Sequence, residues 1–224
     1  MTRLSVVMPA LNEAVGIGQT LQCLAAGRAR GVEVIVVDGG SCDGTADRAA
    51  AGADRVLAGP RGRARQMNAG AAVARGQVLL FLHADTQLPA QADLHIEQAL
   101  SAGRVWGRFD VHIEGHSPML RVVAALMNWR SRASGIATGD QAIFVRADVF
   151  RQLGGYADQP LMEDIELSRR LRAVSRPACL RQQALTSGRR WESRGVWRTI
   201  FLMWRLRWRY WRGESPETLA QAYR

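Results

Sequence analysis

The chain contains no lysine. All 30 of its basic residues are arginine, against 20 acids, which leaves a formal net charge of +10 over 224 residues. Genome base composition alone can produce an arginine-only choice, so the informative quantity is the positive balance, which points to anionic partners: phosphates, acidic lipid or nucleic acid. Cysteine is scarce. Cys23, Cys42 and Cys179 are odd in number, far apart and never in a CxxC pair. A reduced cytosolic setting fits this better than a disulfide framework does, and the spacing argues against a zinc site. No run approaches the roughly 18 consecutive apolar residues of a membrane-spanning helix. The first apolar stretch follows one early arginine and is broken by Pro9, too short for a secretory signal, so it reads as a first strand. A GxGxxG fingerprint is also missing, which counts against a nicotinamide dehydrogenase. Repeats and low-complexity blocks are absent. With 47% hydrophobic and 22% charged residues, the composition suits one large α/β domain with a well-buried core.

Acidic residues stand just beyond two short apolar runs. Val32 to Val37 leads into Asp38-Gly39-Gly40-Ser41-Cys42-Asp43-Gly44-Thr45, and Val78 to Leu82 into His83-Ala84-Asp85. Such runs, bounded by turn signals, read as buried strands of a parallel sheet. Open parallel sheets bind ligands outside the carboxyl ends of their strands, where carboxylates meet a metal ion, a ribose or a base. The pattern is that of a nucleotide-using enzyme, and Asp38, Asp85 and Asp164 are expected to border one cleft. In the first hundred residues, strands at Leu4 to Met8, Val32 to Val37, Asp54 to Leu57 and Val78 to Leu82 alternate with helices. The helices open at Asn12-Glu13, near Thr45, at Arg63 and at Pro89. This predicts a doubly wound sheet. Further on, Trp106 to Ile113 alternates like a half-exposed strand, Met119 to Arg132 has helical periodicity, and Gln141 to Val145 reads as a strand. Asp148 caps a short helix ended by Gly154-Gly155, and Glu163 to Arg172 is helical.

Three local features carry chemistry. The glycines after Asp38 allow a tight turn and close ligand approach, and Asp43 or Ser41 reads as a cap for the next helix. Arg61, Arg63 and Arg65 crowd a helix start, where the helix dipole disfavours cations. An anion resting there would relieve that cost, and a solvated basic surface is the competing reading. Glu163-Asp164 opens a helix, where carboxylates are favoured whether or not they do chemistry.

Taken with Ser5-Val6-Val7-Met8-Pro9-Ala10-Leu11-Asn12-Glu13, Gly139-Asp140-Gln141 and Met162-Glu163-Asp164, these segments resemble the family 2 glycosyltransferases of GT-A fold over roughly residues 4 to 190. The chain is most similar to short bacterial members of the carotenoid-acid glycosyltransferase type. The resemblance implies a pocket for base and ribose lined by Pro9, Glu13 and Asp38, and phosphate contact from Arg65. Asp85 would hold Mg2+ or Mn2+ on the diphosphate. His83 stands where the family has its first acid, as a softer ligand that adds no negative charge. Asp164 would be the catalytic base of an inverting transfer, with Glu163, Gly139, Asp140 and Gln141 forming the acceptor site. Arg189, Arg190 and Trp191 resemble a late basic and aromatic element that closes over the diphosphate or stacks on the acceptor.

The chain therefore divides into a glycosyltransferase domain, 1–188, and a basic, tryptophan-rich helical extension, 189–224. In the extension, Trp197, Ile200, Phe201, Trp204, Trp208 and Trp211 form one helical stripe flanked by Arg194, Arg198, Arg205, Arg209 and Arg212. Such a helix suits the headgroup plane of an acidic membrane, with packing on the domain or on a second copy in a homodimer as the alternative. Ser215 and Pro216 read as the cap and first residue of a last short helix. The expectations are a nucleotide-sugar donor, a lipid or other hydrophobic acceptor with a hydroxyl or carboxyl group, and a cytoplasmic protein held on the inner face of the cell membrane. Two competing readings remain: a nucleotidyltransferase on a related sheet, and a nucleic-acid-binding module. The second is disfavoured because arginines and tryptophans gather on one terminal helix while the carboxylates line strand ends.

Overall fold

A computed structural model describes residues 4–223. Its eight strands form one sheet in the order β3-β2-β1-β4-β7-β6-β8-β5. The first four are β1 (Leu4–Ala10), β2 (Glu33–Asp38), β3 (Arg55–Ala58) and β4 (Val78–Phe81), parallel to one another. Along β1, Val6 and Met8 face one apolar cluster and Val7 the other, as the two-residue period of a strand requires. Helices α1 (Ile17–Ala29), α2 (Thr45–Ala50) and α4 (Ala92–Ser101) cover the first face through Ile17, Leu21, Ala49 and Ile96. Helices α3 (Arg63–Val73), α6 (Ala147–Gln152) and α7 (Glu163–Val174) cover the second through Met67, Phe150, Leu167 and Leu171. Both faces being buried explains the near-continuous apolar runs of these strands.

The other half of the sheet is mixed. β7 (Phe144–Arg146) runs antiparallel to both β4 and β6 (Trp106–Glu114). β6 pairs in parallel with β8 (Ala178–Ser187), whose far side takes the two-residue β5 (Thr86–Gln87) in antiparallel pairing. Helix α5 (Met119–Ser134) packs beside β6 through Leu120, Val123 and Ala124. Three helices end the described chain: the short α8 (Arg189–Arg194), the 16-residue α9 (Val196–Trp211) and the short α10 (Pro216–Tyr223). Ser215 Oγ accepts from the amide of Thr218 at 3.3 Å, the expected cap on α10.

Several boundaries differ from the sequence reading. β1 runs through Pro9 to Ala10. Val7 O accepts from Leu82 N, so Pro9, two residues on, turns its missing donor to the side where β4 has already ended. α1 begins at Ile17 rather than at Asn12, because Asn12 has a left-handed φ of 55° and the next amides are engaged elsewhere. The expected strand from Gln141 is a 3-10 turn, Gly139–Gln141, followed by Ala142 at φ 48°, and β7 starts only at Phe144. β5 and β8 were absent from the sequence reading.

Candidate active site at the carboxyl ends of the strands

Because β1, β2 and β4 are parallel, Ala10, Asp38 and the turn after Phe81 open on one edge of the sheet. On the β1–β2 side, two loops are laced together. Asn12 N donates to Ser41 Oγ at 2.9 Å, Glu13 N to Thr45 Oγ1 at 2.9 Å, and Ala14 N to Asp43 Oδ2 at 3.0 Å. In return, Cys42 N donates to Asn12 Oδ1 at 3.0 Å. Asp38 closes its own turn, accepting from Gly40 N at 3.2 Å, Ser41 N at 3.0 Å and the Ser41 hydroxyl. Beneath them, buried Gln66 donates its amide to Ala10 O and Val37 O, both at 2.8 Å. Sequence reasoning passed over Gln66. The available signal was a polar residue on the inward face of an otherwise alanine-rich helix.

Beside this floor lies a cluster of charge. Arg63 Nε is 2.9 Å from Glu163 Oε1, and its other nearby carboxylates are Asp164, Asp140 and Asp85. Burial opposes the charge on Arg63, and those four acids outweigh it, raising its pKa. The anion that relieves an arginine at the start of α3 is therefore Glu163, itself buried. Burial raises the Glu163 carboxyl above its ordinary range against the pull of Arg63, and its Oε2 has no hydrogen-bond partner among the described residues. Asp164 sits in the first turn of α7 after Met162, a buried residue at φ 66°. Its Oδ2 accepts from Gly139 N at 2.9 Å and its Oδ1 from Ile165 N at 2.7 Å, which fixes the carboxylate towards the 3-10 turn.

Arg189 spans the two sides, with its guanidinium 3.0 Å from Glu13 Oε2 and 3.7 Å from Asp85 Oδ2. Arg190 is also in the field of Asp140 and Asp85. Arg130, from α5, faces the field of Asp164, and its buried Nη2 has no hydrogen-bond partner among the described residues. Neither Arg130 nor the leading place of Arg63 was foreseen; both follow from tertiary packing.

The other expected residues are held in different ways. Arg65 pairs with Asp158 at 2.6 Å on the surface. Residues two apart on a helix point in nearly opposite directions, so when Arg63 faces the carboxylates Arg65 cannot. His83 Nδ1 lies 3.4 Å from Asp140 Oδ1, and its ring is packed where a Cβ on Gly139 would overlap it. Burial works against the imidazolium, and the bond with Asp140 more than offsets it, so the His83 pKa is raised. Gln141 is fully buried, its amide bonded to Asn128 Oδ1 at 3.2 Å. Trp191 packs with Val111, Ile113 and Leu120, an apolar cluster rather than the charged cleft. Pro9 is buried in β1, and Glu13 is turned to Arg189.

Among the described residues, no three histidine, cysteine or acidic groups come together as a metal cage. Magnesium is usually bound by one or two carboxylates plus substrate phosphates, with no all-protein cage. Asp85, 30% exposed at the mouth of the cleft, fits an ion that arrives on a diphosphate.

Comparison with known proteins points the same way. The family model described as Glycosyl transferase family 2 matches residues 5–152. The Probable glycosyltransferase YdaM of Bacillus subtilis is 28% identical over 241 residues, taking in 96% of this chain and 56% of that protein. The chain thus spans little more than half the length of that relative. Mannosyltransferase PcManGT from Pyrobaculum calidifontis, in complex with GDP-Man and Mn2+, matches with a TM-score of 0.65 at 21% identity, over 99% of this chain and 69% of that one. S. aureus TarS 1-349 in complex with UDP matches with a TM-score of 0.66 at 16% identity, over 83% of this chain and 60% of that one. At these identities the two structures speak for a shared fold, the GT-A architecture of a mostly parallel sheet flanked by helices.

Proposed function

The chain belongs to glycosyl transferase family 2, and from that premise we propose that it moves a sugar from a nucleoside-diphosphate sugar to a hydroxyl or carboxyl acceptor carried on a lipid, inverting the anomeric centre. The observation that carries this reading is the gathering of Asp85, Asp140, Glu163 and Asp164 around Arg63 beside the laced β1–β2 loops. The loops offer a floor for base and ribose at the crevice where parallel sheets take nucleotides. Similar folds hold UDP in TarS and GDP-Man with Mn2+ in PcManGT.

Asp164 is the group assigned to take the proton from an acceptor hydroxyl. Its Oδ2 is already aimed by the amide of Gly139, and a positioned base of this kind contributes roughly 10² to 10⁴-fold. An acceptor attacking from the Asp164 side, opposite the leaving diphosphate, gives inversion. Arg63 and Arg189 then lie ready to exchange their present carboxylate partners for the charge developing on the diphosphate, with Arg190, in the field of Asp140 and Asp85, beside them. Asp85 would hold Mg2+ or Mn2+, which when bound supplies charge compensation on the diphosphate. On this reading residues 1–188 form the transferase domain and 189–224 an extension that brings it to its acceptor.

The test is product analysis with Mn2+, a panel of nucleotide sugars and a bacterial lipid extract. Release of nucleoside diphosphate together with a glycosylated lipid supports the proposal. Release of pyrophosphate from a nucleoside triphosphate would instead make the chain a nucleotidyltransferase.

A further inference from the structure

Helix α9 has two faces of different kinds. Its inner face, Leu202, Met203, Leu206 and Tyr210, packs on Leu161 and Met162, the residues directly before Glu163 and Asp164. Its N-terminal turn packs through Val196 and Ile200 beside α5, so Ile200 belongs to the inner face and not to the outer stripe. The outer face carries Trp197, Phe201, Trp204, Trp208 and Trp211, each 57–80% exposed. Five large aromatics in a line on one helix greatly exceed the scattered surface apolars that need no explanation.

Charge identifies what covers them. Val196–Trp211 contains four arginines and no acid. On the helical wheel Arg198 and Arg205 flank the aromatic stripe, and Arg212 follows along the same edge, its guanidinium 5.3 Å from the Trp208 ring centroid. Between α9 and α10 lies a groove of about 630 Å³ whose lining includes Arg194, Arg198, Phe201, Leu202, Arg205 and Tyr223. Its charged groups are guanidinium and its walls are partly apolar. Tryptophan prefers boundaries with one apolar and one wet side, and an amphipathic helix of basic flank and aromatic face lies in the headgroup plane. We propose that the outer face of α9 docks on an anionic phospholipid surface, with the α9–α10 groove seating a lipid phosphate. A protein partner would need a matching acidic rim, and a second copy of this chain would bring arginine against arginine. Docking through α9 would also set the Met162–Asp164 turn at a fixed height above the bilayer, because the same helix packs on both.

The experiment is co-sedimentation of the full chain, without nucleotide sugar, with vesicles of phosphatidylcholine alone or mixed with phosphatidylglycerol. The expected result is binding to the mixed vesicles at least about tenfold tighter than to the neutral ones, weakened by salt. Tryptophan emission should shift to the blue and be quenched by brominated acyl chains. Trp204→Ser with Trp208→Ser should lose at least about tenfold of the partition. Arg198→Gln with Arg205→Gln should lose the preference for the anionic lipid and leave the far-ultraviolet dichroism and melting curve as in the parent chain. The proposal is overturned by equal binding to both vesicle types, by no binding to either, or by a salt-sensitive shift of single-stranded DNA that needs the same tryptophans while vesicles do nothing. A concentration-dependent dimer that the tryptophan variant abolishes, with no vesicle binding, would make this face a self-interface. Since no sugar transfer is read, docking and transferase activity can each fail without the other.

Discussion

On the β1–β2 side of the cleft, loops are tied by backbone amides donating to Ser41, Asp43, Thr45 and Asn12. On the β4–β7 side, the ties are mainly guanidinium or imidazole against carboxylate: Arg63 with Glu163, His83 with Asp140, and Arg189 with Asp85 and, across the cleft, Glu13. The first kind of tie makes a fixed floor. Backbone amides donate these bonds, so they offer no guanidinium for a diphosphate to take over. The second kind can trade partners, because a diphosphate, with or without a cation, competes for the same arginines and carboxylates. A rigid side for the nucleotide and an electrostatically adjustable side for the reacting groups is the division that group transfer asks for.

The largest expected effect breaks the adjustable side alone. Asp164→Asn should lower turnover by about 10²-fold or more while nucleoside-diphosphate binding persists, as read by initial rates and by calorimetry. Full turnover in that variant would remove Asp164 from the base role. Next, Asp85→Asn should abolish the Mn2+-dependent part of donor affinity, a loss of at least about tenfold. Calorimetry with and without the ion reads this directly, and an unchanged metal dependence would place the cation elsewhere. On the rigid side, Gln66→Leu takes the side-chain amide away from Ala10 O, which keeps the Gly39 amide, and from Val37 O. It should cost roughly 1–3 kcal/mol of stability in denaturant unfolding, and a neutral result would mean the floor does not depend on it.

How much of this was legible in the sequence differs between the same two sides. The parallel half announces itself because strands buried on both faces must be apolar throughout, as Val34 to Val37 and Val78 to Leu82 are. In β8, Arg181, Gln182 and Gln183 occupy the middle of a half-exposed strand, and β5 is two residues long, so neither has an apolar pattern to read. The resemblance to family 2 glycosyltransferases brought Asp85, Asp140, Glu163 and Asp164 forward as candidates, and the fold brings them round Arg63. Which arginine faces them depends on the phase of α3, and the turn of His83 towards Asp140 is a contact between segments far apart in the sequence. Neither has a local signature.

The smallest effect lies outside the cleft and serves as its control. Arg28 holds the Asp54 carboxyl below its ordinary value of 3.8, against the opposing effect of burial. A carboxyl with a lowered folded pKa adds stability above its unfolded value and loses it as pH falls through the folded one. Asp54→Asn should therefore lower the melting temperature at neutral pH, by no more than about 1 kcal/mol of stability for so exposed a pair. The two proteins should converge on acidification well below pH 3.8. A difference that persists at low pH would assign the effect to the Val34 amide that Asp54 accepts at 2.7 Å.

The joining of the two sides into one donor cleft is most directly tested by titrating the chain with UDP and GDP in a calorimeter, each with and without Mn2+. Saturable binding of at least one of them is predicted, strengthened by the ion in the parent chain and not in Asp85→Asn. The absence of heat with either nucleotide under both conditions would contradict it.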